Sequence, residues 1–201
     1  SVIKMSTSIN TDELSFNDSI NELHEYIAFN SSAYLTPTIV GEVANQNLHN
    51  TPSDVEYVIV SHPNFLVPAQ RLADFHQEKD DIPSIVVTPQ QIYNEFSSGV
   101  QDVSAIRDFL RFLYKRQNSK LKYVLLFGDG SYDPKNRVAN NTNFIPTYQS
   151  LNSTNPTLSY VTDDYFGLLD DNEGEFNNDL VDIGIGRFPA STLSQANVLV
   201  D

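Results

Sequence analysis

The sequence predicts an α/β fold with a mostly parallel sheet and helices on both faces. Apolar runs of strand length lie at residues 57–61, 82–87 and 122–127. Each run is continuous, which is typical of a strand that is buried on both faces. Segments with helical spacing of apolar residues separate the runs, and this alternation indicates right-handed crossovers between parallel strands.

A different composition precedes this pattern. Residues 1–55 are rich in Ser, Thr and Asn and show no long helical period. We interpret them as the end of a preceding β-rich domain and a linker, with a strand at residues 25–29. The α/β domain is then expected over residues 56–201.

Each helix that the pattern predicts follows a residue that can cap its first turn. The best defined is the helix after Thr88, because Pro89 takes the first helical position and Gln91 completes a capping box. A helix that begins after Asp102 carries a single apolar stripe. The predicted caps are Asn64, Thr88, Asp102, and either Ser191 or Thr192.

Composition narrows the classes of function. The 201 residues are 40% hydrophobic, which is enough for a packed domain. With 26 acids against 12 bases, the chain is not expected to bind nucleic acid, because phosphate contacts need clustered Lys and Arg. The absence of Cys excludes a disulfide or a thiol nucleophile within these residues. No apolar run reaches the ~20 residues of a transmembrane helix, so we expect no membrane span.

Acidic residues are concentrated in one stretch. Between Arg137 and Arg187 the chain has no Lys or Arg. Crowded carboxylates repel one another unless they extend into water or share a cation. The acids of this stretch are Asp163, Asp164, Asp170, Asp171, Glu173, Glu175, Asp179 and Asp182.

Oxygen donors in this stretch favour a calcium ion. Residues 170–174 offer them at adjacent and alternate positions, and calcium takes about 6–8 oxygen ligands. Asp129 follows the third apolar run, and Asp182, which begins a further strand, could be brought beside it. A solvated acidic hairpin is the alternative interpretation of residues 170–174.

Other chemistry is weakly indicated. Ser131, His62 and Asp129 could form a Ser-His-Asp arrangement, but no nucleophile-elbow sequence supports it. Metal-dependent hydrolysis by Asp129 and its neighbours is a further alternative. Arg187 follows a strand, and we expect it to form a structural ion pair with Asp163 or Asp164.

Three ordered motifs resemble the first half of the gingipain-type cysteine peptidase domain. They are YVLLFGDGSYDP (residues 123–134), SYVTDDYFGLLDDNEG (159–174) and DIGIGRFPAS (182–191). Residues 34–49 and 57–76 resemble the approach to that domain. The resemblance implies a caspase-like fold whose catalytic Cys and His lie in a second half-domain downstream. Residues 56–201 would then be an amino-terminal half, truncated at its carboxyl end and inactive alone.

The likeness is strongest to the branch of the family that acts as a surface sortase in type IX secretion. It implies a protein that processes and anchors secreted proteins at the cell surface or outer membrane of a Gram-negative, Bacteroidetes-like bacterium. The implied partners are the remainder of the peptidase domain, secreted cargo and components of the secretion system. The alternative is a non-catalytic, calcium-stabilised surface interaction module.

The same resemblance implies a structural calcium ion. Carried over by motif, the expected ligands are Asp129, Asp170, Glu173 and Asp182, with Asp171 or Asn172 as the alternative ligand from the loop, and no residue of the chain is assigned to catalysis. The loop between Gly174 and Asp182 is longer than the family pattern, so the choice among its ligands stays open.

Overall fold

The computed structural model of the chain describes residues 3–19, 21–39, 41–151, 154–174 and 179–201. The chain divides into two compact units, Ser1–Glu42 and Val43–Asp201, and each is described by itself. Residues 43–55, which the sequence pattern assigned to the preceding segment, lie in the second unit. Leu48 and Val55 are part of its hydrophobic core. The division of the protein into a preceding domain and a peptidase half stays a prediction.

The first unit contains a β-hairpin. Its strands, β1 (Thr7–Asn10) and β2 (Glu13–Phe16), pair antiparallel. The prediction of a strand at residues 25–29 is wrong, because no strand is formed there. β-propensity produces a strand only where a neighbouring strand pairs with it, and here Tyr26 instead packs its ring on Phe16.

The second unit is built on a four-stranded parallel sheet, which confirms the predicted fold class. Its strands and a separate short antiparallel pair are β3 (Tyr57–Ser61), β4 (Ser84–Val87), β5 (Tyr123–Phe127), β6 (Tyr148–Gln149), β7 (Val161–Thr162) and β8 (Gly184–Phe188). The sheet has the order β4-β3-β5-β8, and β6 pairs with β7. The three predicted apolar runs are confirmed as β3, β4 and β5.

Four α-helices complete the second unit: α1 (Leu66–Lys79), α2 (Pro89–Phe96), α3 (Val103–Tyr114) and α4 (Leu193–Val200). Thr88, Asp102 and Thr192 cap α2, α3 and α4 as predicted. Among the described residues, no helix has the length and apolar character to span a bilayer.

The prediction that Asn64 caps the first helix is wrong. A 3-10 turn, Pro63–Phe65, precedes α1, and the side chain of His62 accepts the hydrogen bond from Asn64 N. Pro63 occupies the first position of this turn, so the residue before it becomes the cap.

Alternation along the strands separates two cores. Val58 and Leu126 face α2 and α3 in the larger core, whereas Ile59 and Phe127 face α1 and α4 in the smaller one. Side chains in a strand point alternately to opposite faces, so helices cover both sides of the sheet. Because β3, β5 and β8 run parallel, their carboxyl ends lie at the same edge of the sheet, which we call the carboxyl edge.

A cluster of polar side chains follows the hairpin of the first unit. His24 Nδ1 lies 2.6 Å from Asp18 Oδ2, and His24 Nε2 lies 3.2 Å from Glu22 Oε1. The Tyr26 hydroxyl donates to the same oxygen of Asp18. Hydrogen bonds to Glu22 and then to Asp18 raise the pKa of His24 above its ordinary value.

We expect this cluster to loosen as the pH rises through the raised pKa of His24. A pKa raised by folding means that protonated His24 favours the folded unit. Its contribution is complete below the pKa of an unfolded His, about 6.5, and is lost above the folded value. NMR titration of the His24 ring, with amide exchange of residues 17–26, measures this. His24→Asn should abolish the pH dependence, and a His24 pKa at or below that of an unfolded peptide would contradict it.

Candidate functional site

The acidic loop, residues 168–174, is held against helix α3. It follows a 3-10 turn, Asp164–Gly167, and begins with two buried leucines. Arg107 of α3 donates from Nε to the carbonyl of Leu168 (2.6 Å) and from Nη2 to the carbonyl of Glu173 (2.9 Å). One guanidinium therefore fixes both ends of the loop by bonding its backbone.

Three carboxylates converge at this loop. One oxygen each from Asp170, Glu173 and Asp182 lies within 4.8 Å of the others. Glu173 Oε2 accepts from Asp170 N (3.0 Å), and Asp182 Oδ2 accepts from Leu169 N (2.7 Å), so backbone bonds orient two of the three. None of the three forms an ion pair within the described ranges of the chain. These oxygens can act as ligands of a hard cation.

The negative charges of these three acids affect the pKa of Tyr114 in α3. Its hydroxyl donates to Asp182 Oδ1 at 3.4 Å. Burial raises the pKa of Tyr114, and the charges of Asp182, Asp170 and Glu173 raise it further. All three carboxylates therefore lie close enough to the Tyr114 hydroxyl to interact with it electrostatically.

Asp171 differs from its neighbours because it is neutralised by bases. Its Oδ1 lies 2.7 Å from Lys115 Nζ and also accepts from Arg111 Nη2. The hydrogen bond from Lys115 is the largest cause that holds the pKa of Asp171 below its ordinary value. Asn172 lies in the same turn with a left-handed backbone (φ 65°), and its role as a ligand stays a prediction.

The expectation that Asp129 joins Asp182 is wrong in its geometry. β5 and β8 run parallel, with Tyr123 opposite Gly184 and Phe127 opposite Phe188. Asp129 follows the carboxyl end of β5, whereas Asp182 precedes the amino end of β8. The length of the strands, at ~3.3 Å per residue, separates them. Asp129 instead accepts hydrogen bonds from Thr142 Oγ1 (2.6 Å) and Gly130 N (3.0 Å).

Arg187 organises the carboxyl edge of the sheet. Its Nε and Nη2 donate to the two carboxylate oxygens of Asp163, each at 2.7 Å, which confirms the expected ion pair. Its Nη1 donates to the carbonyls of Gly128 and Ile145, and its Nη2 also reaches the carbonyl of Pro146. One side chain thus joins three separate segments.

Close packing at this edge requires glycine. A Cβ on Gly130 would lie 2.5 Å from Thr147 Cγ2, and one on Gly128 would lie 2.9 Å from Ile145 Cγ1. Gly128 also has a positive φ of 155°. The Gly-Asp-Gly turn therefore lies directly against residues 144–147.

The three side chains considered for a Ser-His-Asp arrangement each form hydrogen bonds with nearby residues instead. Ser131 Oγ accepts from Asp133 N, and His62 Nδ1 accepts from Asn64 N. The His62 ring stacks on Phe144 with centroids 4.2 Å apart, and burial lowers the pKa of His62. Ser131 and His62 therefore cap their own loops, and Asp129 accepts its hydrogen bond from Thr142 and not from His62.

Sequence reasoning missed Arg107 and Tyr114. Arg107 and Arg111 of α3 and Lys115, the residue at its carboxyl cap, recur every four residues, which places them on one helical face. This basic face was the available signal that an acidic segment packs there. Tyr114 carried no comparable signal.

Comparison with known proteins identifies the family. The model of peptidase family C25 matches residues 50–201, so the chain belongs to this family, the gingipain cysteine peptidases. The predicted resemblance is confirmed.

Among solved structures, the chain is similar to the crystal structure of dimeric latent PorU from Porphyromonas gingivalis, with 36% identity and a TM-score of 0.72. The match covers 84% of this chain but only 17% of the PorU chain. Its caspase-like α/β fold is the one predicted from the sequence.

Gingipain R (RgpB) shows the same fold at lower similarity. Its crystal structure matches with 15% identity and a TM-score of 0.53, covering 75% of this chain and 28% of that chain. The complex of the Porphyromonas gingivalis RgpB pro- and mature domains matches with 16% identity and a TM-score of 0.52, covering 73% and 27%. A comparison with the curated proteins finds no relative.

We expect Arg187→Met to destabilise the chain by about 2–4 kcal/mol, because it leaves the Asp163 carboxylate and several carbonyls without a donor. The Arg187 side chain is only 12% exposed. Urea unfolding of the purified chain measures the loss. Arg71→Met is the matched control, because it removes an exposed ion pair with Asp201 and should cost below about 1 kcal/mol. Equal losses in the two variants would contradict the role given to Arg187.

Proposed function

We propose that the chain is the scaffold half of a PorU-like peptidase domain that processes and anchors secreted proteins. The observation that carries this proposal is the 36% identity to PorU over 84% of the chain, which exceeds the 15% identity to gingipain R. The family supplies cysteine peptidase chemistry. The printed sequence has no Cys, so the nucleophile and its His partner would come from the remainder of the peptidase domain.

The sheet has a surface that suits such a partner. β8 is at one end of the strand order, so one side of its backbone has no strand beside it among the residues described. α4, which follows β8 in the chain, exposes Leu193 and Val198. An edge strand of this kind accepts further strands. We propose that the second half of the domain continues the sheet here.

The cellular location and the partner proteins that we propose rest on the same resemblance to PorU. We propose that it works in type IX secretion at the cell surface or outer membrane of a Gram-negative, Bacteroidetes-like bacterium. Its further partners would be secreted cargo and components of the secretion system. An acidic net charge of -14 is compatible with a surface that meets divalent cations.

We further propose that a structural calcium ion braces the acidic loop. The donor set fits this ion, because Asp170, Glu173 and Asp182 present hard oxygens within 4.8 Å of one another and lack a basic partner in the described part of the chain. The ion would supply the positive charge that joins the loop to the segment entering β8. Asn172 could add a ligand, whereas Asp129 lies at the other end of the strands.

Calcium is expected to raise the melting temperature of the chain, because a ligand that binds only the folded state stabilises it. The gain is roughly 2.7 kcal/mol at a hundredfold excess over Kd. Calorimetric titration with calcium chloride, together with thermal unfolding, measures both quantities. Asp182→Asn should abolish the heat of binding and the temperature shift.

Asp171→Asn is the matched control for this experiment. It removes one negative charge, as Asp182→Asn does, but the Asp171 carboxylate in the acidic loop is already paired with Arg111 and Lys115. We expect this variant to keep binding calcium. Absence of a calcium effect on the unaltered chain would refute the calcium proposal and leave the solvated acidic loop.

The peptidase-domain role can be tested with a chimaera. In PorU of Porphyromonas gingivalis, the segment that this chain matches is exchanged for this chain. We expect cargo proteins to be processed and retained at the cell surface, because the scaffold is the same. The sizes of cargo proteins on gels and their surface labelling provide the measurement. An exchange for the matching RgpB segment, which is far less similar, is the control and should fail.

Folding of the chimaera is checked separately by its surface exposure and its resistance to protease. A chimaera that is folded and exposed but leaves cargo unprocessed would overturn the peptidase-domain role. That result would favour the alternative, a calcium-stabilised surface interaction module.

A further inference from the structure

A second structured loop lies at the carboxyl edge of the sheet, and we call residues 132–138 the basic loop. It follows β5 through the Gly-Asp-Gly turn. Asp133 is buried, its Oδ2 accepts from Val138 N (2.7 Å), and its carbonyl accepts from Asn141 Nδ2 (2.7 Å). Gln101 Nε2 donates to the carbonyl of Pro134 (2.8 Å) and ties the loop to the segment before α3. Its shape is therefore set by hydrogen bonds.

The basic loop lines an open cleft of about 400 Å³. This volume is in the range of pockets that take small ligands or peptide side chains. Tyr132 is 77% exposed and supplies an unpacked aromatic wall. The residues around the cleft are Tyr132, Asp133, Pro134, Lys135, Arg137 and Val138.

The two bases of this cleft have no acidic partner in the described part of the chain, although the protein has 26 acids for 12 bases. Lys135 and Arg137 are both exposed, whereas Asp133, the acid beside them, is buried. Other bases of the second unit, such as Arg71, Lys122 and Arg187, are paired with carboxylates. The cleft thus presents positive charge on a strongly acidic protein.

We propose that this cleft binds a carboxylate group of an acidic polypeptide segment. The proposal rests on the proposed function, in which the domain processes secreted proteins, and ligands of open α/β sheets gather at the carboxyl ends of the strands. The guanidinium of Arg137 can bind a carboxylate through two parallel hydrogen bonds, and Lys135 adds a second charge. The exposed ring of Tyr132 can pack on the backbone of the segment.

The net charge of the protein limits what this cleft does. A chain with net charge -14 repels an acidic peptide at long range, but at ~0.15 M salt such repulsion is screened beyond about 8 Å. The cleft therefore selects and positions an acidic residue at contact distance. It does not attract the peptide from afar.

Fluorescence anisotropy of the full chain at ~0.15 M salt tests this, with labelled hexaglutamate as the probe and labelled hexaglutamine as the neutral reference. We expect hexaglutamate alone to bind. The double variant Lys135→Gln/Arg137→Gln should weaken binding about tenfold or more, because two charge-assisted contacts are lost. The double variant Lys79→Gln/Lys120→Gln removes the same charge at exposed sites outside the cleft and should change binding by less than about twofold.

No binding by the unaltered chain, or equal weakening in the two double variants, would overturn the proposal. Displacement of hexaglutamate by equimolar inorganic phosphate would also overturn it, because it would show a general anion site. Thermal unfolding verifies that both variants fold. The chimaera experiment is independent, so a chimaera that processes cargo while the cleft fails to bind hexaglutamate refutes only this inference.

Discussion

The contact on which the carboxyl edge depends is the pair between Arg187 and Asp163. A guanidinium with 12% of its side chain exposed must have its charge and its N–H groups satisfied, or the folded state is strongly destabilised. Asp163 neutralises the charge with two hydrogen bonds, and carbonyls from residues 128, 145 and 146 take the remaining donors. The end of β8, the Gly-Asp-Gly turn and the segment before β6 can therefore take only one relative arrangement.

A second electrostatic constraint acts at the opposite end of β8. Helix α3 and its carboxyl cap present Arg107, Arg111 and Lys115 on one face, and the acidic loop lies against them. The three bases satisfy two loop carbonyls and one carboxylate, Asp171, but leave the remaining acids of the loop uncompensated. Those acids meet Asp182 at the start of β8. Bases of α3 thus shape the loop, and this preorganisation supports the proposed cation site.

The two constraints lie at opposite ends of β8. Arg187 holds the carboxyl edge of the sheet, where ligands of open α/β sheets gather, and the carboxylates of residues 170, 173 and 182 converge at the other end of β8. The basic loop lies beside the first edge and is free of ion pairs among the described residues.

The sequence by itself determined the strands β3, β4 and β5, the caps at Thr88 and Asp102, and the family. These depend on local rules, since apolar runs, capping boxes and ordered motifs are complete within short segments. Even the separation of Asp129 from Asp182 was implicit in the prediction of parallel strands, because one acid follows a strand and the other precedes one.

Only the tertiary structure decided which acids meet and which bases neutralise them. Asp171 and Arg111 are 60 residues apart in the sequence, and Arg107 is 61 residues from Leu168. No local pattern specifies pairs of such separation. Their contact follows from the packing of α3 against the acidic loop, in which Leu169 shares a hydrophobic core with Phe109 and Leu113 of the helix.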